Sequence, residues 1–79
     1  MVKLKNLKRI DQKIQCDIYP EDSTEAGQLS VNLSDESYDY KLPKGYEWCT
    51  NHVAHAKRAI IEMVKADSEL PKEKLIMWG

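Results

Sequence analysis

With 79 residues, 42% of them hydrophobic and 32% charged, and a formal charge of −1, the chain has the make-up of one small α+β or similar globular domain spanning residues 1–79. That composition excludes wholesale disorder, and no apolar run approaches the roughly 20 residues of a membrane-spanning helix. A domain of this size buries only about 60% of the surface its unfolded chain exposes, so a few apolar side chains must carry its stability.

The opening stretch, MVKLKNLKRIDQK, has basic residues but no apolar h-region behind them. It does not read as a secretory signal, so the expected location is cytoplasmic, and there Cys16 and Cys49 would be reduced thiols rather than a disulfide. Charge is unevenly spread: Lys3, Lys5, Lys8, Arg9 and Lys13 face only Asp11 in residues 1–16, whereas residues 17–47 hold eight acids against Lys41 and Lys44. Basic and acidic strands pairing across a sheet would explain this. The alternative is a basic N-terminal edge, Lys3, Lys5, Lys8 and Arg9, for an anionic partner, but the overall balance argues against nucleic acid.

Taken in chain order, Val2 and Leu4 alternate with lysines as in a strand, and Leu7 and Ile10 then fall out of phase, which predicts a bulge near Asn6. A tight turn at Asp11 and Gln12 leads into Ile14, Cys16 and Ile18, which alternate with Lys13, Gln15 and Asp17 in the period of a half-wet strand. YPEDSTEAG reads as a loop. Its carboxylates lack the spacing of a calcium loop and read as solvated. Leu29, Val31 and Leu33 mark a third strand, SDES a turn, and Tyr38, Tyr40 and Leu42 a fourth whose tyrosines are assigned to the core face.

From about Tyr46 to Asp67 the period lengthens. Tyr46, Cys49, Val53, Ala56, Ile60, Met63 and Val64 recur three and four apart and form one stripe of a long amphipathic helix, with Lys65 in the last turn and Pro71 beyond it. KLIMWG then reads as a short strand with Leu75 and Met77 on one face and Ile76 and Trp78 on the other. The expected fold is a two-layer α+β domain in the order ββββαβ, four to five mostly antiparallel strands covered by one helix.

The residues with chemical potential are concentrated in EWCTNHVAH, where Cys49, His52 and His55 stand three apart. On a helix Cys49 falls in the core stripe, His52 on its flank and His55 on the solvent side, and Cys49 and His55 diverge by about 120°, too far to share a metal ion. No paired C-x-x-C spacing supports zinc, so no metal and no cofactor is expected. A cysteine at a helix start beside a histidine can become a reactive thiolate. A helix that begins near Tyr46 would instead bury Cys49, and no third, orienting residue is suggested.

Trp48 projects off the stripe at the helix start, where it either folds back over the end of the sheet or anchors a binding surface with Lys44, Tyr46 and His52 beside it. Trp78 poses the same choice between being covered and serving as a second anchor. The expected function is therefore a non-enzymatic protein-interaction module or self-associating domain, with a protein partner or a homodimer and no membrane contact. A thiol- or metal-dependent site at Cys49 and His52 is the first alternative, and an anion site on the N-terminal cations the second.

Overall fold

The alternating stretches become strands in a computed structural model of the chain, which describes residues 1–67 and 69–78. The elements are β1 (Val2–Ile10), β2 (Lys13–Pro20), β3 (Gly27–Asn32), β4 (Tyr38–Lys41), α1 (Thr50–Lys65) and β5 (Glu73–Ile76). The strands form one antiparallel sheet in the order β4-β3-β2-β1-β5, an α+β fold in the order ββββαβ. β1 to β4 meander from one side of the sheet to the other, and α1 carries the chain back across it to place β5 beside β1. Among the described residues no helix is long and apolar enough to cross a membrane.

The inward residues follow from the two periods. Val2, Leu4, Ile14, Cys16, Ile18, Leu29 and Val31 from the sheet meet Val53, Ala56 and Ile60 from the helix, all buried. Burial of a large aliphatic side chain contributes about 1.5–3 kcal/mol, so this small set holds the layers together. The expected irregularity sits at Asn6, which has φ 56°. Lys5 opposes Asp17 but Lys8 opposes Gln15, so Asn6 and Leu7 together face the single residue Cys16. The extra residue turns Leu7 back to the core side, where it packs against the apolar cluster. Asp11, at φ 54°, forms the predicted turn into β2.

The charged outer face pairs by register. Lys5 lies opposite Asp17 on one side and Glu73 on the other. The Asp17 carboxylate, however, accepts hydrogen bonds from the Asn6 side-chain amide at 2.7 Å and the Gln28 amide at 2.8 Å, not from lysine. The alternative of a basic N-terminal edge does not correspond to an edge strand: β1 lies inside the sheet, flanked over Val2–Lys5 by β2 and β5, and only its end beyond the bulge lacks a second neighbour. Lys3, Lys5 and Lys8 are on the outer face, while the Arg9 Nε–H donates to the Asp11 carbonyl at 3.1 Å.

Tyr38 and Tyr40 also need correction. They oppose Val31 and Leu29 and thus share the helix side of the sheet as read from the sequence, yet they are 37% and 43% exposed. Five strands about 4.8 Å apart make a sheet about 19 Å wide, whereas a helix with its side chains covers about 10–12 Å. The helix packs mainly on β1, β3 and β5 and reaches β4 through Lys57, whose Nζ lies over the Tyr38 ring at 4.9 Å. A groove of about 520 Å³, lined by Tyr38, Ala54, Lys57, Arg58 and Ile61, runs between helix and edge strand.

The last strand ends at Ile76, shorter than the KLIMWG reading; there and just beyond it Ile76 and Trp78 pack against the core, and Leu75 and Met77 are exposed. Gly79, the end of the KLIMWG stretch, lies outside the described residues.

Candidate functional site

The helix starts at Thr50, later than its stripe implied, because the chain from Pro43 to Cys49 closes two successive turns instead. Tyr46 N–H donates to Pro43 O and Cys49 N–H to Tyr46 O, each at 3.0 Å. Gly45 makes the first turn possible at φ 89°, a conformation costly for other residues. Cys49 is the N-cap and has no side-chain cap bond. Its carbonyl accepts the first helical bond, from Val53 N–H at 3.3 Å.

These turns aim two aromatic side chains away from the helix axis. The Tyr46 hydroxyl donates to Asp22 Oδ1 at 2.7 Å, tying the turn to the loop after β2. That bond and burial raise the Tyr46 pKa above its ordinary value. The Trp48 indole N–H donates back to the Gly45 carbonyl at 3.1 Å. Trp48 is 63% exposed, the most open aromatic side chain among the described residues. Its one donor is satisfied internally, so the surface it shows to solvent is apolar.

One turn into the helix, His52 lies between the two tryptophans. Trp48 meets it edge-on at 5.6 Å between centroids, and Trp78 meets it edge-on at 4.9 Å. His52 is buried, and its Nε2 stands 3.0 Å from Glu21 Oε1. The α-amino group of Met1 reaches the other Glu21 oxygen at 3.3 Å. The bond from His52, then that from the amino group, holds the Glu21 carboxyl below its usual pKa, so it is the acceptor and Nε2 carries the proton. His52 Nδ1 is buried without a partner.

His55 does not stand free on the solvent side as its helical angle implied. It is half-buried beneath Trp78, which stacks on it at 4.1 Å with the planes 12° apart. Trp78 is accordingly half-buried and works as a cover, not as an open anchor. The structure therefore brings Tyr46, Trp48, His52 and Trp78 to one end of the domain. Lys44 lies to one side, exposed, on a shallow depression shared with Asp22, Ser23, Thr24, Glu25 and Tyr46. Glu21 belongs to the site and was read only as part of a solvated loop. No periodicity links it to a helix residue 31 positions later.

Cys49 lies wholly inside the core although the helix begins after it. Burial first, and then the charge of Glu21, push its thiol up from the ordinary value, the opposite of what a nucleophilic cysteine needs. Cys16 is likewise a free, buried thiol, so no disulfide joins the two. Among the described residues no group of three or more His, Cys, Asp or Glu side chains is arranged to hold a metal ion. Comparison with protein-family models, with curated proteins and with solved structures finds no match to this chain.

Proposed function

We propose that the chain is a non-enzymatic protein-interaction module whose contact surface is centred on Trp48. The observation that carries this reading is the indole itself, 63% exposed yet held in one orientation by its bond to Gly45 O and by the edge of His52. A large apolar side chain fixed before binding loses little conformational freedom on contact, and such tryptophans dominate interface energetics when they enter a partner's apolar pocket. The half-buried Glu21–His52 pair and the Tyr46–Asp22 bond act as a rigid mount for that surface rather than as reacting groups. The raised thiol pKa of Cys49 is consistent with a structural role for it.

The test compares wild type with Trp48→Ala as affinity baits in lysate of the source cells, after thermal melts confirm that both fold. The expected result is one or more proteins retained by wild type and lost with Trp48→Ala. An identical retained set for both baits would overturn the assignment.

A further inference from the structure

The sheet ends at β4, and among the described residues no strand lies beyond it. Its backbone phase is set by Asn32 N–H, which donates to Ser37 O at 2.8 Å. Antiparallel ladders alternate bonded and non-bonded pairs, so Ser30–Asp39 and Gln28–Lys41 are bonded pairs, and Leu29–Tyr40 and Val31–Tyr38 are not. The N–H and C=O groups of Tyr38 and Tyr40 therefore point off the edge of the sheet. The same two residues carry rings that stack on each other at 6.0 Å and stay exposed on the helix side of the sheet, with Lys57 of the helix over Tyr38 at 4.9 Å.

We propose that β4 pairs antiparallel with β4 of a second copy of this chain, about a two-fold axis at Tyr40, joining the two five-stranded sheets into one. Outward-pointing groups must meet outward-pointing groups, which restricts the register to steps of two. Centring the pair on Asp39 sets Asp39 against its own copy, and centring it on Lys41 sets lysine against lysine. Centring it on Tyr38 leaves Asp39 opposite Ser37 and Tyr40 opposite Glu36. Centring it on Tyr40 alone places each Asp39 opposite Lys41 of the second copy, twice, in the closer, non-bonded pairing. It also sets Tyr40 against Tyr40 and Tyr38 against Leu42 on the helix side, so apolar meets apolar on one face and acid meets base on the other.

The opposite edge lacks this self-complementarity. In β5 the bond from Asn6 N–H to Lys72 O leaves Glu73 and Leu75 as the residues whose backbone groups point outward. Centring on Lys74 opposes two lysines, and the registers centred on Leu75 or Ile76 match no acid with a base. Pairing through β4 also gives the exposed Tyr38 and Tyr40 rings lateral apolar neighbours from the second copy.

Sedimentation velocity of the whole chain over a concentration series tests the proposal. Wild type is expected to pass from 9.2 kDa to twice that mass. Asp39→Lys and Lys41→Asp each set like charges opposite one another and are expected to stay monomeric at the same concentrations. Their neighbours on β3, Ser30 and Gln28, are uncharged, so neither change disturbs the fold's own pairing. An equimolar mixture of the two variants restores the opposite-charge pairs and is expected to restore the dimer, a result that a folding defect cannot produce. A wild type that stays monomeric throughout overturns the proposal. So do a dimer that survives both variants, a mixture of folded variants that fails to associate, and a dimer lost instead with Leu75→Lys or Trp48→Ala.

Discussion

The Trp78 indole lies flat on the His55 imidazole, 4.1 Å between centroids, while its edge meets His52 at 4.9 Å. One side chain beyond the last strand thus clamps two successive turns of the helix and fixes the far side of the sheet to it. Trp78→Ala is expected to lower unfolding free energy by about 2–3 kcal/mol, from lost apolar burial plus about 0.5–1.5 kcal/mol for each favourable aromatic contact. Trp48→Ala, at an exposed position, is expected to cost less than about 1 kcal/mol. Urea titrations of the two variants followed by far-UV circular dichroism give the comparison. A larger loss at Trp48 would reverse the roles assigned to the two indoles.

Ile60 is fully buried at the centre of the helix stripe. Ile60→Asp would place a carboxylate among Val, Leu and Ile side chains, a penalty of several kcal/mol that rivals the roughly 5 kcal/mol stability of a small domain. The expected outcome is loss of the cooperative thermal transition. A variant that melts near wild type would contradict the packing of α1.

The Glu21 carboxyl has a folded pKa below its unfolded value, chiefly because His52 donates to it. Its contribution to stability is fully present above the unfolded carboxyl pKa and is lost as pH falls through the lowered, folded one. Wild type is expected to be more stable than Glu21→Gln at neutral pH, with the gap closing on acidification below about pH 4. Melting temperatures of both proteins across that range check it, and a gap independent of pH would refute it.

Burial, with a smaller effect of Asp17, pushes the Cys16 thiol up to about 12 from 9.0. Here the sign is opposite. The folded state prefers the neutral thiol, so this contribution is complete below the unfolded pKa and is lost as pH rises from about 9 towards 12. Chemical denaturation at increasing alkaline pH should show wild type losing stability more steeply than Cys16→Ala. Alkylation of native Cys16 and Cys49 at neutral pH should be far slower than in unfolded protein, and rapid labelling of native Cys49 would contradict its burial.

Gly27 begins β3 where the chain after β4 crosses it. A Cβ there would run into the Lys41 carbonyl and press on the Pro43 ring at 3.0 Å and the Ile18 side chain at 3.1 Å. Backbone cannot yield as a flexible side chain can, so Gly27→Ala is expected to destabilise by about 1–3 kcal/mol and to displace β4. Equilibrium unfolding measures the cost, and amide exchange at Tyr38–Lys41 reports the displacement.

Much of this architecture was legible residue by residue. Alternation placed Ile14, Cys16 and Ile18 inward, the phase slip after Leu4 located the bulge at Asn6, and the three-four spacing from Cys49 to Val64 gave the helix its buried side. Each of these is a local property: side chains on neighbouring residues must point where the strand or helix backbone sends them. The helix start was misplaced for an equally local reason. Tyr46 and Cys49 have helical spacing, but their hydrogen bonds close turns instead, and the anchors of those turns, Asp22 and Gly45, do not show in a hydrophobic period.

The sequence by itself determined the element order and most of the inward residues, and it placed Trp48 off the helix stripe. Only the tertiary structure decided that Trp48 stands open rather than folded over the sheet, that Glu21 reaches His52, that Trp78 covers His55, and that Tyr38 and Tyr40 lie on the core side yet remain wet. Those outcomes depend on strand order and on the width of one helix against five strands. A period along the chain states which way a side chain points, but not what the rest of the chain brings to meet it.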